Sequence, residues 1–185
     1  MARIPFATRD DVQKNETAAY DAFVQARGSV PTAGPYALLL HMPEVAQKLE
    51  SLRLYLRDET SVPQKVQELV MLTVARDMDC PYIWQAHAAA ALEVGVPRET
   101  VDNIREKRAL SGLGADEQAA VDFTRELLRN RKVGSATFAR ATASFGQRGT
   151  LTLTNLVACY ATLAYIMNTY ELEAPAHATE RALPV

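Results

Sequence analysis

The stretch ELVMLTVARDMDCPYIWQAHAAAALEVGVP, residues 68–97, decides the fold of this chain. Its first half is apolar at nearly every position and its second half is rich in alanine, which together predict helices rather than strands. Pro81 follows Cys80 and suits the first turn of a new helix, which Gly95 is expected to stop. The stretch therefore predicts two consecutive helices joined by a short turn.

The rest of the chain has the same helical character. No alternating strand pattern occurs, and Pro or Gly marks most of the expected helix boundaries. We predict a single all-α domain, a helical bundle with an N-terminal helix and irregular connection (1–34), a main helical part (35–173) and an extended or loosely ordered tail (174–185). The expected helices cover residues 11–27, 43–59, 63–78, 80–94, 97–106, 116–131, 134–146 and 149–170, with a short apolar turn at 36–41.

Composition places the chain among soluble, mildly acidic proteins. It has 185 residues, with 20 Lys and Arg against 22 Asp and Glu, and a formal net charge of −2. No domain-wide basic surface is indicated, so no nucleic-acid partner is expected. The N-terminal residues lack the apolar core of a signal peptide, and two cysteines, Cys80 and Cys159, do not form a secreted disulfide framework. We therefore expect a cytoplasmic protein with free thiols.

One uncharged segment tests the soluble interpretation. No charged residue occurs between Arg148 and Glu171, a length that could cross a bilayer. Its threonines and asparagines make it too polar for a membrane span, and its apolar residues follow helical spacing. We predict a buried core helix and no membrane partner. Burial on most sides in so small a protein indicates that other subunits cover it, so a homo-oligomer is expected.

Two side chains of the central stretch share one helix face. Cys80, Ile83 and His87 are spaced i, i+3 and i+7. Cys80 falls at the start of its helix, where the dipole favours an anion, so a lower thiol pKa and higher nucleophilicity are expected. His87 lies two turns further, roughly 10 Å by helix rise, so a third group could bridge the two.

Glu68 is the candidate for that third group. It lies in an apolar run, where a carboxylate must be paired, hydrogen-bonded or protonated. We expect burial to raise its pKa toward the range of general acid–base catalysis, and a hydrogen bond from His87 to satisfy it and orient the imidazole. The alternative is structural: Cys80 as a small core residue and Glu68 at the edge of a buried stripe. Spacing leaves both interpretations open.

Three further residues are candidates for substrate binding. Tyr82 and Trp84 flank Ile83, and His41 precedes a helix that begins with proline. Core packing for the aromatic residues and helix capping for His41 are the competing interpretations. No metal site is expected, because no third or fourth ligand occurs at a recognisable spacing. His177, in the tail, is expected to be solvated.

The spacing of Glu68, Cys80, position 83 and His87 resembles the signature of the carboxymuconolactone decarboxylase and alkylhydroperoxidase D superfamily. Flanking segments are similar to its uncharacterised bacterial decarboxylase-like members, so the resemblance covers residues 35–173. It implies an all-helical fold of the alkylhydroperoxidase D type, association into trimers or hexamers, and a site near the central helix pair. The flanking segments are GPYALLLHMPEVA, LRLYLRDETSVPQK and FTRELLRNRKVGSATFARATASFG.

The family has two named chemistries, and neither transfers intact. The resemblance implies, for the peroxidase branch, a Cys-x-x-Cys pair with a Glu and His proton relay. For the decarboxylase branch it implies polar residues that decarboxylate a lactone acid without a metal or organic cofactor. Ile83 stands where the second Cys of the pair would be, and also where many decarboxylase-like relatives carry Glu.

The sequence favours a cofactor-free enzyme acting on a small organic acid or lactone. Glu68 and His87 would form its proton-transfer pair, and Cys80 would contribute a thiol or thiolate. One alternative is a thiol-dependent alkylhydroperoxidase, an antioxidant enzyme of peroxiredoxin type that uses Cys80 with the same relay. The other is a non-catalytic oligomeric protein that binds a small molecule.

Overall fold

The computed structural model describes residues 2–174 and 178–185, which form helices and no β-strand. The predicted all-α fold is therefore confirmed, whereas His177 lies outside the described residues. A 3-10 turn at Arg9–Asp11 precedes α1 (Thr17–Arg27), α2 (Gly34–Leu39), α3 (Pro43–Asp58), α4 (Gln64–Asp77), α5 (Pro81–Glu93), α6 (Arg98–Arg105), α7 (Ala115–Asn130) and α8 (Ser135–Thr169).

Helix α4 is the centre of the bundle. Every residue from Val66 to Arg76 is buried, and the helix packs against α5, α7 and α8. A helix that is apolar on nearly all sides must be covered on all of them, which explains its central position. The few polar side chains that it carries, among them Glu68, therefore lie inside the protein.

Helix α8 consists of two segments that meet at Gly146. This residue has φ 66° and ψ −177°, a conformation that glycine adopts without a steric penalty. The predicted helix stop at Gly146 is confirmed. The second segment is long and apolar enough to cross a membrane, but 56% of its most apolar 18-residue window is buried inside the fold. It is a core helix, consistent with a soluble protein.

The N-terminal part forms a small hydrophobic core of its own beside the main one. Tyr20 and Phe23 of α1 pack there against Tyr36 and Leu40. The segment predicted as an apolar turn is the short helix α2. Because α1 contacts α3 and α2 contacts both α3 and α8, this second core lies against the side of the bundle.

The first helix begins later than predicted. Residues 11–16 were expected to be helical, but α1 starts at Thr17. The Asp11 carboxylate accepts hydrogen bonds from the backbone N–H and the hydroxyl of Thr8, at 2.8 and 2.6 Å, and closes a 3-10 turn. Val12 then adopts an extended conformation and is buried. This local bonding competes with helix formation, as short polar side chains often do.

The C-terminal residues 178–185 are extended, as predicted, and are held on the body of the protein rather than loosely ordered. Trp84 donates its indole N–H to the Arg181 carbonyl (2.9 Å), and Arg76 donates to the Pro184 carbonyl (2.9 Å). Leu183 is buried in the main core. The segment thus covers α4 and α5 near the turn that joins them.

Candidate functional site

The turn between α4 and α5 sets the direction of α5. Asp79 has φ 46°, in the left-handed region, and its carboxylate pairs with Arg76. Asn168 of α8 donates its side-chain amide to the Met78 carbonyl (2.8 Å). Cys80 then precedes Pro81, the first residue of α5. The turn is fixed from both sides, and α5 is directed so that its inner face lies along α4.

Glu68 and His87 are in contact. The distance between His87 Nδ1 and Glu68 Oε2 is 2.9 Å, and the glutamate side chain is 1% exposed. A carboxylate only accepts hydrogen bonds, so Nδ1 carries the proton. In the neutral ring the other nitrogen, Nε2, is then an acceptor. The hydrogen bond expected between these two residues is therefore present.

Arg57 is a second partner of Glu68 that the sequence reasoning missed. Its Nη2 lies 2.8 Å from Glu68 Oε1, so each carboxylate oxygen has its own donor. Burial raises the pKa of the Glu68 carboxyl, but the hydrogen bond from His87 and the charge of Arg57 outweigh it and hold the pKa below its usual range. The expected rise in this pKa is therefore wrong, and the carboxylate is ionised at neutral pH.

A cavity of about 260 Å³ opens beside the imidazole. His87 lines it, and among the described residues no protein group is bonded to its Nε2. The Tyr160 ring stands edge-on to the imidazole, with 5.3 Å between ring centroids. The remaining wall residues come from the α1–α2 region, α3, α5 and α8: Arg27, Ala33, Pro35, Tyr36, Arg53, Tyr82, Ile83, Ala86, Leu163 and Met167.

Tyr160 brings an unsatisfied hydroxyl group to this wall. The residue is 2% exposed, and its hydroxyl has no hydrogen-bond partner in the described protein. Burial raises its pKa to about 12, so the hydroxyl stays protonated and can donate a hydrogen bond. A buried polar group without a partner is unusual in a folded protein and is consistent with a ligand that supplies one. We had expected Tyr160 to have only a packing role.

The opposite wall carries excess positive charge. The Glu50 carboxylate accepts from Arg27 (Nη1, 3.0 Å) and from Arg53 (Nε, 2.7 Å). Both guanidinium groups also lie over the Tyr36 ring, at 5.6 and 6.0 Å from its centroid. Two cations share one carboxylate, so this wall has one unbalanced positive charge.

Cys80 is not the activated thiol that the sequence suggested. It is fully buried at the N-cap of α5, and this burial raises its pKa despite hydrogen bonds from the Ile83 and Tyr82 backbone. The expectation of a lowered pKa is wrong, because loss of hydration outweighs the helix N-terminus here. Cys159 is also free and buried, with a pKa raised to about 11.

The three predicted substrate-binding residues separate in the structure. Tyr82 lines the cavity. Trp84 is 1% exposed and bonded to the C-terminal segment, which places it in the core. His41 Nε2 lies 3.0 Å from the Pro5 carbonyl and joins the N-terminal segment to the end of α2. The structure therefore brings Tyr82 to the site and does not bring Trp84 or His41 there.

The described part of the chain offers no obvious metal ligand set. Among residues 2–174 and 178–185, no group of three or more His, Cys, Asp or Glu side chains is placed to hold a metal ion. Glu68 and His87 are directed at each other and at Arg57. The chemistry of this donor set is that of a proton relay.

An α-helical bundle with a buried Glu–His pair beside the second helix of its central pair defines an alkylhydroperoxidase D-like protein. Residues 43–126 match the family model described as the carboxymuconolactone decarboxylase family, and the chain belongs to this superfamily. No curated protein matches the sequence.

Solved structures share the fold at low sequence identity. One is an uncharacterised peroxidase-related protein with an alkylhydroperoxidase AhpD core from Ralstonia eutropha JMP134 (15% identity, 95% of this chain and 93% of that chain, TM-score 0.72). Another is an uncharacterised peroxidase-related protein from Silicibacter sp. TM1040 (14%, 97% and 95%, 0.74). A third is the debrominase Bmp8 in complex with 2,3,4-tribromopyrrole (13%, 94% and 91%, 0.69).

Proposed function

We propose that this protein is a cofactor-free enzyme that transfers protons on a small organic acid or lactone. The observation that carries the proposal is the relay from Arg57 through Glu68 to His87, which ends at a cavity. The ionised carboxylate holds the Nδ1–H of the ring, so Nε2 is left as an acceptor without a protein partner. A nitrogen held in this way meets the geometric requirement for a general base.

The roles follow from the bonds that each reaction changes. In a decarboxylation, carbon dioxide leaves, the electron pair stays on carbon, and a protonated His87 would return a proton to that carbon. Glu68 would stabilise the imidazolium, as a carboxylate does beside a catalytic histidine. In a lactone reaction, the neutral His87 would remove a proton. In both, the Tyr160 hydroxyl would donate a hydrogen bond to oxygen that gains negative charge.

The comparisons support a small-molecule ligand. The debrominase Bmp8 shares the fold and holds 2,3,4-tribromopyrrole, a small cyclic organic molecule. A cavity of about 260 Å³ with aromatic and aliphatic walls suits a ligand of similar kind. The catalytic residue in our proposal is His87, with Glu68 and Arg57 as positioning residues.

Thiol-dependent alkylhydroperoxidase activity is the second candidate, favoured by the peroxidase-related proteins of the same fold. The residues meet its needs less well. The Cys80 thiol is buried with a raised pKa, and Ile83 supplies no second thiol to resolve a sulfenic acid. A non-catalytic protein that binds a small molecule in the same cavity is the third candidate.

Deuterium exchange tests the proposal without a known substrate. The protein would be incubated in D₂O with a panel of small lactones, β-keto acids and unsaturated acids, and NMR would follow deuterium incorporation and bicarbonate release. We expect one chemical class to react, and His87→Gln to slow that reaction by about 10²–10⁴-fold. His41→Gln, which changes an imidazole bonded outside the cavity, is the matched control and should react like the wild type.

Three outcomes would contradict the proposal. Reaction that persists in His87→Gln would remove the histidine from the mechanism. Reducible peroxide turnover that disappears in Cys80→Ser would establish the thiol peroxidase instead. Saturable binding of a panel member with neither exchange nor bicarbonate release would indicate a binding protein.

A further inference from the structure

A second, larger cavity adjoins the polar one. Its volume is about 630 Å³, and its wall is mainly apolar. The N-terminal segment and the residues after α8 form it, with Ile4, Pro5, Phe6, Ala33 and Leu172 as its apolar surface. Phe6 and Leu172 also pack on the main core, which fixes these walls on the bundle. We call this space the outer cavity and the one beside His87 the inner cavity.

Tyr82 separates the two spaces. It lines both cavities, as does Ala33. The Tyr82 hydroxyl lies directly against Gly34, where a β-carbon would overlap it. The aromatic ring is thus the shared wall between the outer and inner cavities, and a single molecule that passes this ring would occupy both.

The inner cavity alone is small for a complete ligand. Small-molecule sites usually measure about 300–1,000 Å³, and its 260 Å³ lies below that range. The outer cavity brings the combined space well into the range. The inner cavity is therefore suited to the reacting end of a molecule, and the outer cavity to the remainder.

Charge differs between the two ends. The inner wall has Arg27 and Arg53 against the single carboxylate of Glu50, so one positive charge is unbalanced. It also offers the unpartnered hydroxyl of Tyr160. An anionic group with hydrogen-bond acceptors satisfies both features. The apolar residues of the outer cavity would be covered by hydrocarbon.

We propose that the ligand is an amphiphilic carboxylate, with its anionic head beside Arg27 and His87 and its apolar part past Tyr82 in the outer cavity. The inference rests on the proposed function, since it names the class of molecule that the same site would take. It is tested by binding alone, so the loss of proton transfer in His87→Gln neither supports nor weakens it.

Calorimetric titration with butanoate, hexanoate, octanoate and decanoate tests the apolar part. Each buried methylene should tighten binding by about fourfold, which is the ~0.8 kcal/mol of a buried CH₂ converted at 25 °C. Ile4→Glu places a charge in the outer cavity and should abolish this chain-length dependence while leaving butanoate affinity unchanged. Val30→Glu is the matched control: Val30 is similarly exposed, lines neither cavity, and should keep the wild-type series.

The head group is tested with decan-1-ol and Arg27→Gln. The alcohol should bind the wild type about tenfold more weakly than decanoate, and Arg27→Gln should remove this difference. Affinity that does not rise with chain length would overturn the proposal. So would a chain-length dependence that survives Ile4→Glu, or an alcohol that binds as tightly as the acid.

Discussion

Arg57 holds the oxygen of Glu68 that His87 leaves free: its Nη2 lies 2.8 Å from Oε1, while the imidazole takes Oε2. The carboxylate is 1% exposed and has a donor on each side. Its charge is compatible with burial because both donors are in place. Two consequences follow, one for the tautomer of the histidine and one for stability against acid.

The first prediction concerns stability and pH. The pKa of Glu68 is lower in the folded protein than its ordinary value of 4.5, so the folded state binds fewer protons there than the unfolded state. Its contribution to stability is complete above pH 4.5 and is lost as the pH falls through the lower folded value. Urea denaturation should therefore show that Glu68→Gln is less stable than the wild type at pH 7, by about 1–3 kcal/mol, with the difference shrinking in acid.

Glu44→Gln is the control for this experiment. Glu44 is exposed and pairs only with Lys48 on the same helix, so its loss should change the free energy of unfolding little at any pH. If Glu68→Gln had the same pH profile as the wild type, the ionised buried carboxylate would be contradicted.

The second prediction concerns the thiols. Cys80 and Cys159 are buried with raised pKa values, so neither should react rapidly with a disulfide reagent in the native protein. Both should react after denaturation. Peroxide should accordingly produce little turnover. Rapid modification of one native thiol, identified by mass spectrometry, would contradict the burial of that residue.

Ile83→Cys extends this prediction as a gain of chemistry. It restores a thiol three residues after Cys80, a spacing at which a disulfide can close at a helix start. We expect mass spectrometry to detect a reversible disulfide between positions 80 and 83 after oxidation. Ala86→Cys also adds a thiol to the cavity wall, at a position outside the Cys-x-x-Cys spacing, and serves as the control.

The third prediction concerns assembly. Leu52, Tyr55 and Leu151 form an exposed apolar groove between α3 and α8, with Leu151 65% exposed. The exposed face of α8 continues from there without a charge as far as Tyr165. We propose that a second copy of the chain covers this surface, in the trimer or hexamer expected from the sequence.

Light scattering after size exclusion should show an oligomer that Leu151→Glu converts to smaller species. Phe138→Glu is the control, because Phe138 is also exposed but lies on the first segment of α8, away from the groove. A wild-type monomer at micromolar concentration, or equal dissociation by both variants, would contradict this interface.

The fourth prediction concerns Gly34. A β-carbon there would meet the Tyr82 hydroxyl, and φ is +78°. Gly112 has a similar φ of +74° but open space around it. Gly112→Ala should therefore cost only the backbone strain, about 1–2 kcal/mol, whereas Gly34→Ala should cost more. Thermal denaturation compares the two, and equal losses would mean that Tyr82 does not rest on Gly34.

The helical fold and the Glu68–His87 contact were accessible from sequence because local requirements determine both. A helix apolar on all sides must be buried, and a carboxylate within it must find a partner. His87 lies on the face of the next helix that turns toward α4. Spacing along the chain carries this information.

Arg57 and Tyr160 could not be placed in the same way. They belong to α3 and α8, and their approach to Glu68 and His87 depends on how distant helices pack. The only local signal for Arg57 was its position four residues after Arg53 in LRLYLRD, which puts two cations on one helix face. The pKa of Cys80 was misjudged for a related reason, since the helix dipole is local whereas burial depends on every surrounding element.

The docking of the C-terminal segment gives the protein an internal optical probe. Trp84 is the only tryptophan of the chain, and its indole N–H is bonded to the carbonyl of Arg181. Release of residues 178–185 would expose that indole to water while the rest of the bundle stays folded. Tryptophan fluorescence therefore reports on detachment of the C-terminal segment, and circular dichroism on the helices, so two transitions that do not coincide would reveal local opening before global unfolding.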